Sequence, residues 1–223
     1  MLVKDRMTRN PITAQPETTH KKAAELMRDH NIHHLPVINK QGQLVGIVVH
    51  EDLLSAQPST ATSLSIYEIH SLLSKLQLKQ IMHHPVITVS GNCPLEEAAQ
   101  LMLTEDVGCL PVMENDQLVG IITDTDIFQS LVALSGGGQE GARFTMRLPD
   151  KPGILAKVAQ IVADAGGNII SATTWRSEND GYGYVTIKES GANFSQLQQK
   201  LQTIEAELVD VREKPACQQK LYE

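Results

Sequence analysis

Apolar and polar positions alternate along this chain in two rhythms, and residues 1–134 run through them twice in the same order. A short extended segment at Ile12-Thr13 leads to a helix over Thr19 to His30, with Ala23, Ala24, Leu26 and Met27 on its apolar face. A strand from Leu35 to Ile38 follows, then the polar turn Asn39-Lys40-Gln41-Gly42. The next strand, Leu44 to Val49, is apolar and β-branched enough for burial on both faces, and a short helix opens at Glu51. The second pass places an extended segment at Ile87-Thr88 and a helix from Pro94 to Glu105 with Ala98, Ala99, Leu101 and Met102 inward. A strand Leu110 to Met113, the turn Glu114-Asn115-Asp116, a strand Leu118 to Thr123 and a helix from Thr125 complete it.

The two passes match residue by residue. Lys4, Met7 and Leu35-Pro36-Val37 correspond to Lys79, Met82 and Leu110-Pro111-Val112; beyond Gly42, Leu44-Val45-Gly46-Ile47 and Asp52 correspond to Leu118-Val119-Gly120-Ile121 and Asp126. Two copies are too few for a solenoid, so the expectation is a closed pseudo-two-fold pair with a cleft between its halves, where small ligands lodge. The copies occupy residues 1–56 and 78–134. Residues 57–77 join them: Ser55 to Ser63 reads as a loop and Leu64 to Leu76 as an amphipathic helix, with an apolar stripe of Ile66, Tyr67, Ile69, Leu72, Leu73 and Leu76. That stripe packs either on the pair or on a second chain.

After 134 the pattern changes. Residues 135–142, containing Ser135-Gly136-Gly137-Gly138, have the composition of a flexible linker. Residues 143–213 then read as strand (Arg143 to Leu148), helix (Ile154 to Ala165), strands Asn168 to Thr174 and Tyr182 to Lys188, helix (Phe194 to Ile204) and strand (Leu208 to Arg212). This βαββαβ order is the ferredoxin-like arrangement, with Trp175 on its sheet, and 214–223 form a frayed tail. The fold class is α+β.

Composition narrows the function. A formal charge of −7 without a basic cluster argues against nucleic acid. The N-terminal residues lack the order of a signal peptide, and no apolar run is long enough for a bilayer, so a cytoplasmic protein is expected. Cys93, Cys109 and Cys217 are scattered and read as reduced thiols. His30, His33, His34 and His83-His84 could meet a divalent ion, but no carboxylate or thiol stands at fixed spacing to them, so no metal site is assigned. No nucleophile–base pair is recognisable, which disfavours an enzyme.

The chemistry concentrates at Gly120-Ile121-Ile122-Thr123-Asp124-Thr125-Asp126, where a strand turns into a helix. Gly120 would admit a ligand close to the backbone, the first helical amides and Thr123 would meet a phosphate, and Asp126 would accept the hydroxyls of a ribose. The same Thr123-x-x-Asp126 spacing is also a capping box that simply starts a helix. In the first copy, Gly46 to Asp52 has Val49 where a hydroxyl is expected; one lost hydrogen bond is worth about 0.5–1.5 kcal/mol.

The paired apolar-Pro-apolar strands and Gly-x-x-Thr-x-x-Asp turn resemble tandem CBS domains, a Bateman module, over residues 1 to 133. The resemblance implies an adenosyl ligand (AMP, ATP or S-adenosylmethionine) held by Val86, Ile87, Thr88, Cys109, Leu110, Pro111, Gly120, Thr123 and Asp126. A weaker site in the first copy would use Ile12, Thr13, His34, Leu35, Pro36, Gly46 and Asp52. Asp150-Lys151-Pro152-Gly153-Ile154-Leu155 followed by Gly166-Gly167-Asn168-Ile169 reads as helix capping, and also resembles an ACT domain. That implies an effector site, amino-acid-like and often shared across a dimer, at Asp150, Gly153, Ile154, Asn168 and Ile169. The whole order, with the helix between the copies, is similar to acetoin utilization proteins, which implies a role in acetoin or butanediol catabolism. The expected protein is a regulatory homodimer with a small-molecule ligand, an unidentified regulated partner and no catalytic cofactor; a ligand-free oligomerisation adaptor and an acetoin enzyme are the alternatives.

Overall fold

The computed structural model describes residues 1–56, 66–176 and 181–213. Residues 57–63 of the loop expected over Ser55 to Ser63, the first two residues of the inter-copy helix and the tail from Lys214 lie outside them. The chain divides into two compact units, Met1–Phe128 and Gln129–Glu223.

In chain order, the first unit holds β1 (Thr8–Arg9), α1 (His20–His30), β2 (His34–Ile38), β3 (Leu44–Val49), α2 (His50–Ser55), α3 (Ile66–Lys75), β4 (Val89–Ser90), α4 (Leu95–Glu105), β5 (Cys109–Glu114), β6 (Gln117–Thr123) and the start of α5 (Asp124–Leu134). Thr19 caps α1 through a hydrogen bond from the Lys22 amide, and Asn31 ends it in the left-handed conformation. The extended segments expected at Ile12-Thr13 and Ile87-Thr88 begin pairing two residues later, at Ala14 against Val37 and at β4 against β5. Helix α3 lies against α1, with the His20 amide donating to the Leu76 carbonyl, but Tyr67 and Leu72 of its stripe are exposed.

The copies are not closed upon themselves as the contiguous repeat suggests. The first copy's lead-in strand β1 pairs with β6 of the second, Thr8 against Ile121 and Arg9 against Gly120. Reciprocally, His83 of the second copy's lead-in bridges Ile47 on β3 of the first. Val3 and Met7 therefore sit in the second copy's core beside Leu95, Ala98, Met102, Leu110 and Ile122. Leu78 sits in the first copy's core beside Ala23, Met27, Leu35, Val48 and Leu53. Each half is thus completed by a segment that the sequence assigns to the other.

The second unit contains β7 (Ala142–Pro149), α6 (Ile154–Asp164), β8 (Asn168–Arg176), β9 (Tyr182–Ser190), α7 (Phe194–Leu201) and β10 (Glu207–Arg212). Its strands are antiparallel in the order β10-β7-β9-β8, the ferredoxin-like arrangement. Phe144, Met146, Leu148, Val158, Val162, Val185, Ile187, Leu197 and Leu201 fill its core. Trp175 lies on this sheet but is half-exposed, its ring stacked on Tyr184 at 5.2 Å. The glycine-rich stretch is a folded turn rather than an extended tether. Gly136 and Gly138 take positive φ, and the Lys188 ammonium donates to the carbonyls of Gly136 and Gln139, which fastens the turn to β9. Among the described residues no helix is long and apolar enough to cross a membrane.

Candidate functional site

Strand β6 brings Thr123 to the start of α5, where the capping box forms. Asp126 Oδ2 accepts the Thr123 amide and the Thr123 hydroxyl at 2.8 Å each, and the Asp126 amide donates to Thr123 Oγ1 at 3.3 Å. Both side chains line a cavity of 1190 Å³ within the first unit. Ile47, Cys109 and Ile121, with Val86 packed on them, form a small buried cluster from both copies along it. Ile87 and Pro111 add apolar wall from the second copy, and Ile12 and His34 reach it from the first.

Of the expected second-copy residues, Thr88, Leu110 and Gly120 do not line the cavity. Strand alternation explains Leu110: Cys109 and Pro111 face the cavity while Leu110 and Val112 point into the core. Gly120 admits a side chain rather than a ligand, because a Cβ there would lie 2.5 Å from Met7 Sδ. Gly46 does the same for Met82, at 2.5 Å. In the first copy, Leu35 is fully buried in its core, and Thr13, Pro36, Gly46 and Asp52 also lie off the cavity wall.

The amides expected to be open to phosphate are engaged. Those of Asp124, Thr125 and Asp126 donate to the Gly108 carbonyl, the Asp124 carboxylate and Thr123 Oγ1 respectively. The positive end of α5 has drawn in its own carboxylate, Asp124, where a phosphate was expected. The wall also carries Glu51, Asp106, Asp124 and Asp126 but, among the described residues, neither Lys nor Arg. Burial holds the His34 imidazole below its ordinary pKa, against the opposing pull of Asp124. Burial, and then the Asp124 charge, pushes the Cys109 thiol up to about 12. The thiolate fraction at pH 8 then falls on the order of a thousandfold, partly offset by the greater nucleophilicity of a more basic thiolate. Cys109 in folded protein is expected to react with iodoacetamide at pH 8 at least tenfold more slowly than glutathione, read by peptide mass mapping. Equal rates would contradict its placement.

The first copy's turn differs from the second. Asp52 Oδ2 accepts the Val49 amide at 2.8 Å, as in the second copy, but Oδ1 is held by His83 Nε2 at 2.7 Å. In the sequence His83 stands out only as a candidate metal ligand; its match to Thr8, together with the exchanged lead-ins, is the signal that points to this contact. Among the described residues, no three His, Cys, Asp or Glu side chains converge in a metal-holding arrangement.

In the second unit, Asp150, Gly153 and Ile154 line a separate cavity of 460 Å³ with Trp175, Arg176 and Tyr184, and the Arg176 guanidinium pairs with Asp150 at 2.9 Å. Asn168 and Ile169 are not part of it. Asn168 pairs with Ser190 at one end of β9, whereas Pro149 and Arg176 pair with Tyr182 and Gly183 at the other. The crossover through α6 starts β8 at the opposite end of the sheet from Asp150, so Asn168 and Ile169 do not join Asp150, Gly153 and Ile154 within one chain. Trp175, Arg176 and Tyr184 were not expected there.

The CBS domain family matches residues 3–59 and 78–133, and the ACT domain family matches residues 143–206. The chain belongs to the CBS-domain family. It carries two CBS repeats and a C-terminal ACT domain. A CBS domain-containing protein of Dictyostelium discoideum is 31% identical over 133 residues, covering 59% of this chain and 92% of that protein. Among solved structures, a putative acetoin utilization protein (AcuB) from Vibrio cholerae is 36% identical with a TM-score of 0.50, over 59% of this chain and 90% of that one. The L-aspartate semialdehyde sulfurtransferase of Methanocaldococcus jannaschii is 32% identical over 127 residues, 56% of this chain; the match spans only 22% of the length of that enzyme. Two further proteins of that organism are matched over 32% and 45% of their length.

Proposed function

We propose that the chain is a non-catalytic sensor whose CBS pair takes an adenosine-containing ligand at the second copy. The observation that carries this reading is the Thr123–Asp126 turn opening on a 1190 Å³ cavity, with a carboxylate for the ribose hydroxyls and the apolar side chains of Val86, Ile87 and Pro111 for the base. The charge of the wall refines the ligand. Four carboxylates without Lys or Arg among the described lining residues repel a polyphosphate and attract the sulfonium and ammonium of S-adenosylmethionine. The expected order of affinity is S-adenosylmethionine, then AMP, then ATP, with the first at least tenfold tighter than the last. A thermal-shift series tests it, since a ligand at a hundred times its Kd adds about 2.7 kcal/mol, a shift of several degrees. ATP shifting the protein more than S-adenosylmethionine at equal concentration would contradict the charge argument.

In the same reading the protein is a cytoplasmic homodimer, ligand binding biases the packing of the two CBS copies, and that bias passes to a regulated protein. The ACT domain contributes dimerisation or takes an amino-acid-like effector; with Asn168 at the opposite end of the sheet from Asp150, an effector touching both needs a second chain. The acetoin or butanediol connection rests on the likeness to AcuB. A ligand-free adaptor is the second reading, favoured by the fact that Thr123 and Asp126 already satisfy one another in the capping box.

A further inference from the structure

We infer that His83 is a latch that closes the first copy's turn, leaving this CBS pair with one working site where its pseudo-symmetry provides for two. The inference rests on the sensor reading above, because a latch matters only if these turns take a ligand. Asp52 and Asp126 are equivalent carboxylates, and each spends Oδ2 on a backbone amide at 2.8 Å. A ribose arriving at Asp52 needs the other oxygen. That oxygen is held by His83 Nε2 at 2.7 Å.

The imidazole is put there by the backbone. The His83 amide donates to the Ile47 carbonyl at 2.8 Å and the Ile47 amide returns the bond at 3.1 Å, so residue 83 is fixed on β3. Across the pseudo-two-fold axis the same register pairs Thr8 with Ile121, and a threonine side chain is shorter than an imidazole. The consequence is visible in the wall of the cavity: Asp126 lines it and Asp52 does not. The His83 side chain is 63% exposed and Asp52 only 16%, so the ring lies over the carboxylate with solvent on its outer side, where it can swing away. The missing hydroxyl at Val49 leaves the uncovered site weaker than the second copy's.

Calorimetric titration with S-adenosylmethionine and with AMP tests this on wild type, D126A, H83A, H83Q and H83A/D126A, each checked for folding by circular dichroism. One site is expected in wild type and two in H83A. H83A/D126A is expected to bind at least fivefold more tightly than D126A alone. H83Q, whose amide can still donate to Asp52, should remain one-sited. Two sites in wild type or H83Q, or no recovery in H83A/D126A while wild type binds, would overturn the latch; in the last case the sensor reading stands. Binding by H83A/D126A but not by wild type would support the latch and contradict the second-copy site. No binding by any folded variant would overturn both.

Discussion

Asp126→Ala is expected to weaken binding of an adenosyl ligand at least tenfold, about 1.4 kcal/mol, while Asp52→Ala changes it far less. The asymmetry follows from position: Asp126 lines the cavity, and Asp52 lies off its wall with its second oxygen held by His83. A hydrogen bond to a charged group contributes roughly 1.5–3 kcal/mol, so a tenfold loss is the lower end of the expectation. Because Asp126 also accepts the Thr123 amide and hydroxyl, the alanine variant should lose about 1 kcal/mol of stability as well. Asp126→Asn separates the two effects, since its remaining oxygen keeps a cap while the charge is gone. Titration of both variants alongside urea unfolding measures each contribution. Binding by D126A equal to wild type would remove Asp126 from the site.

The second large effect is structural. Gly120→Val is expected to destabilise the first unit by about 3–5 kcal/mol, by driving the N-terminal lead-in off the second copy. A Cβ at residue 120 would lie 2.5 Å from Met7 Sδ and 3.1 Å from the Thr8 carbonyl, and the branches of valine crowd both further. Methionine can bend away, but the Thr8 backbone cannot move without breaking its register with Ile121. Lifting that segment uncovers Val3 and Met7, buried at 0% and 8% exposure. Gly120→Ala should be milder and partly rescued by Met7→Ala, which makes the pair a double-mutant cycle with a favourable coupling. Thermal unfolding of G120V within two or three degrees of wild type, roughly a fraction of 1 kcal/mol, would contradict the exchanged lead-ins.

Much of the architecture was legible because it is written in local periodicity. The α1 and α4 faces, the apolar strands around Pro36 and Pro111, and the βαββαβ order of the C-terminal unit all follow from spacing and caps. What local pattern does not carry is which partner a short strand chooses. Residues 8–9 and His83 pair across the repeat boundary, so Gly46 and Gly120 read as ligand positions when their lost side chains make room for Met82 and Met7. Asp124 has no evident role in the sequence motif, although its carboxylate takes the place assigned to a phosphate. Likewise Gly136 to Gly141 have linker composition, and it is Lys188, 47 or more residues away along the chain, that helps make them a fastened turn. In the ACT domain, Asp150 and Asn168 share a motif in sequence and opposite ends of a sheet in space.

The most direct test of the sensor account is calorimetric titration of S-adenosylmethionine into folded wild-type protein. The account expects saturable binding at one site per chain, weakened at least tenfold by Asp126→Ala. Absence of binding, for S-adenosylmethionine and for AMP and ATP in the same buffer, would contradict it and leave the adaptor reading in its place.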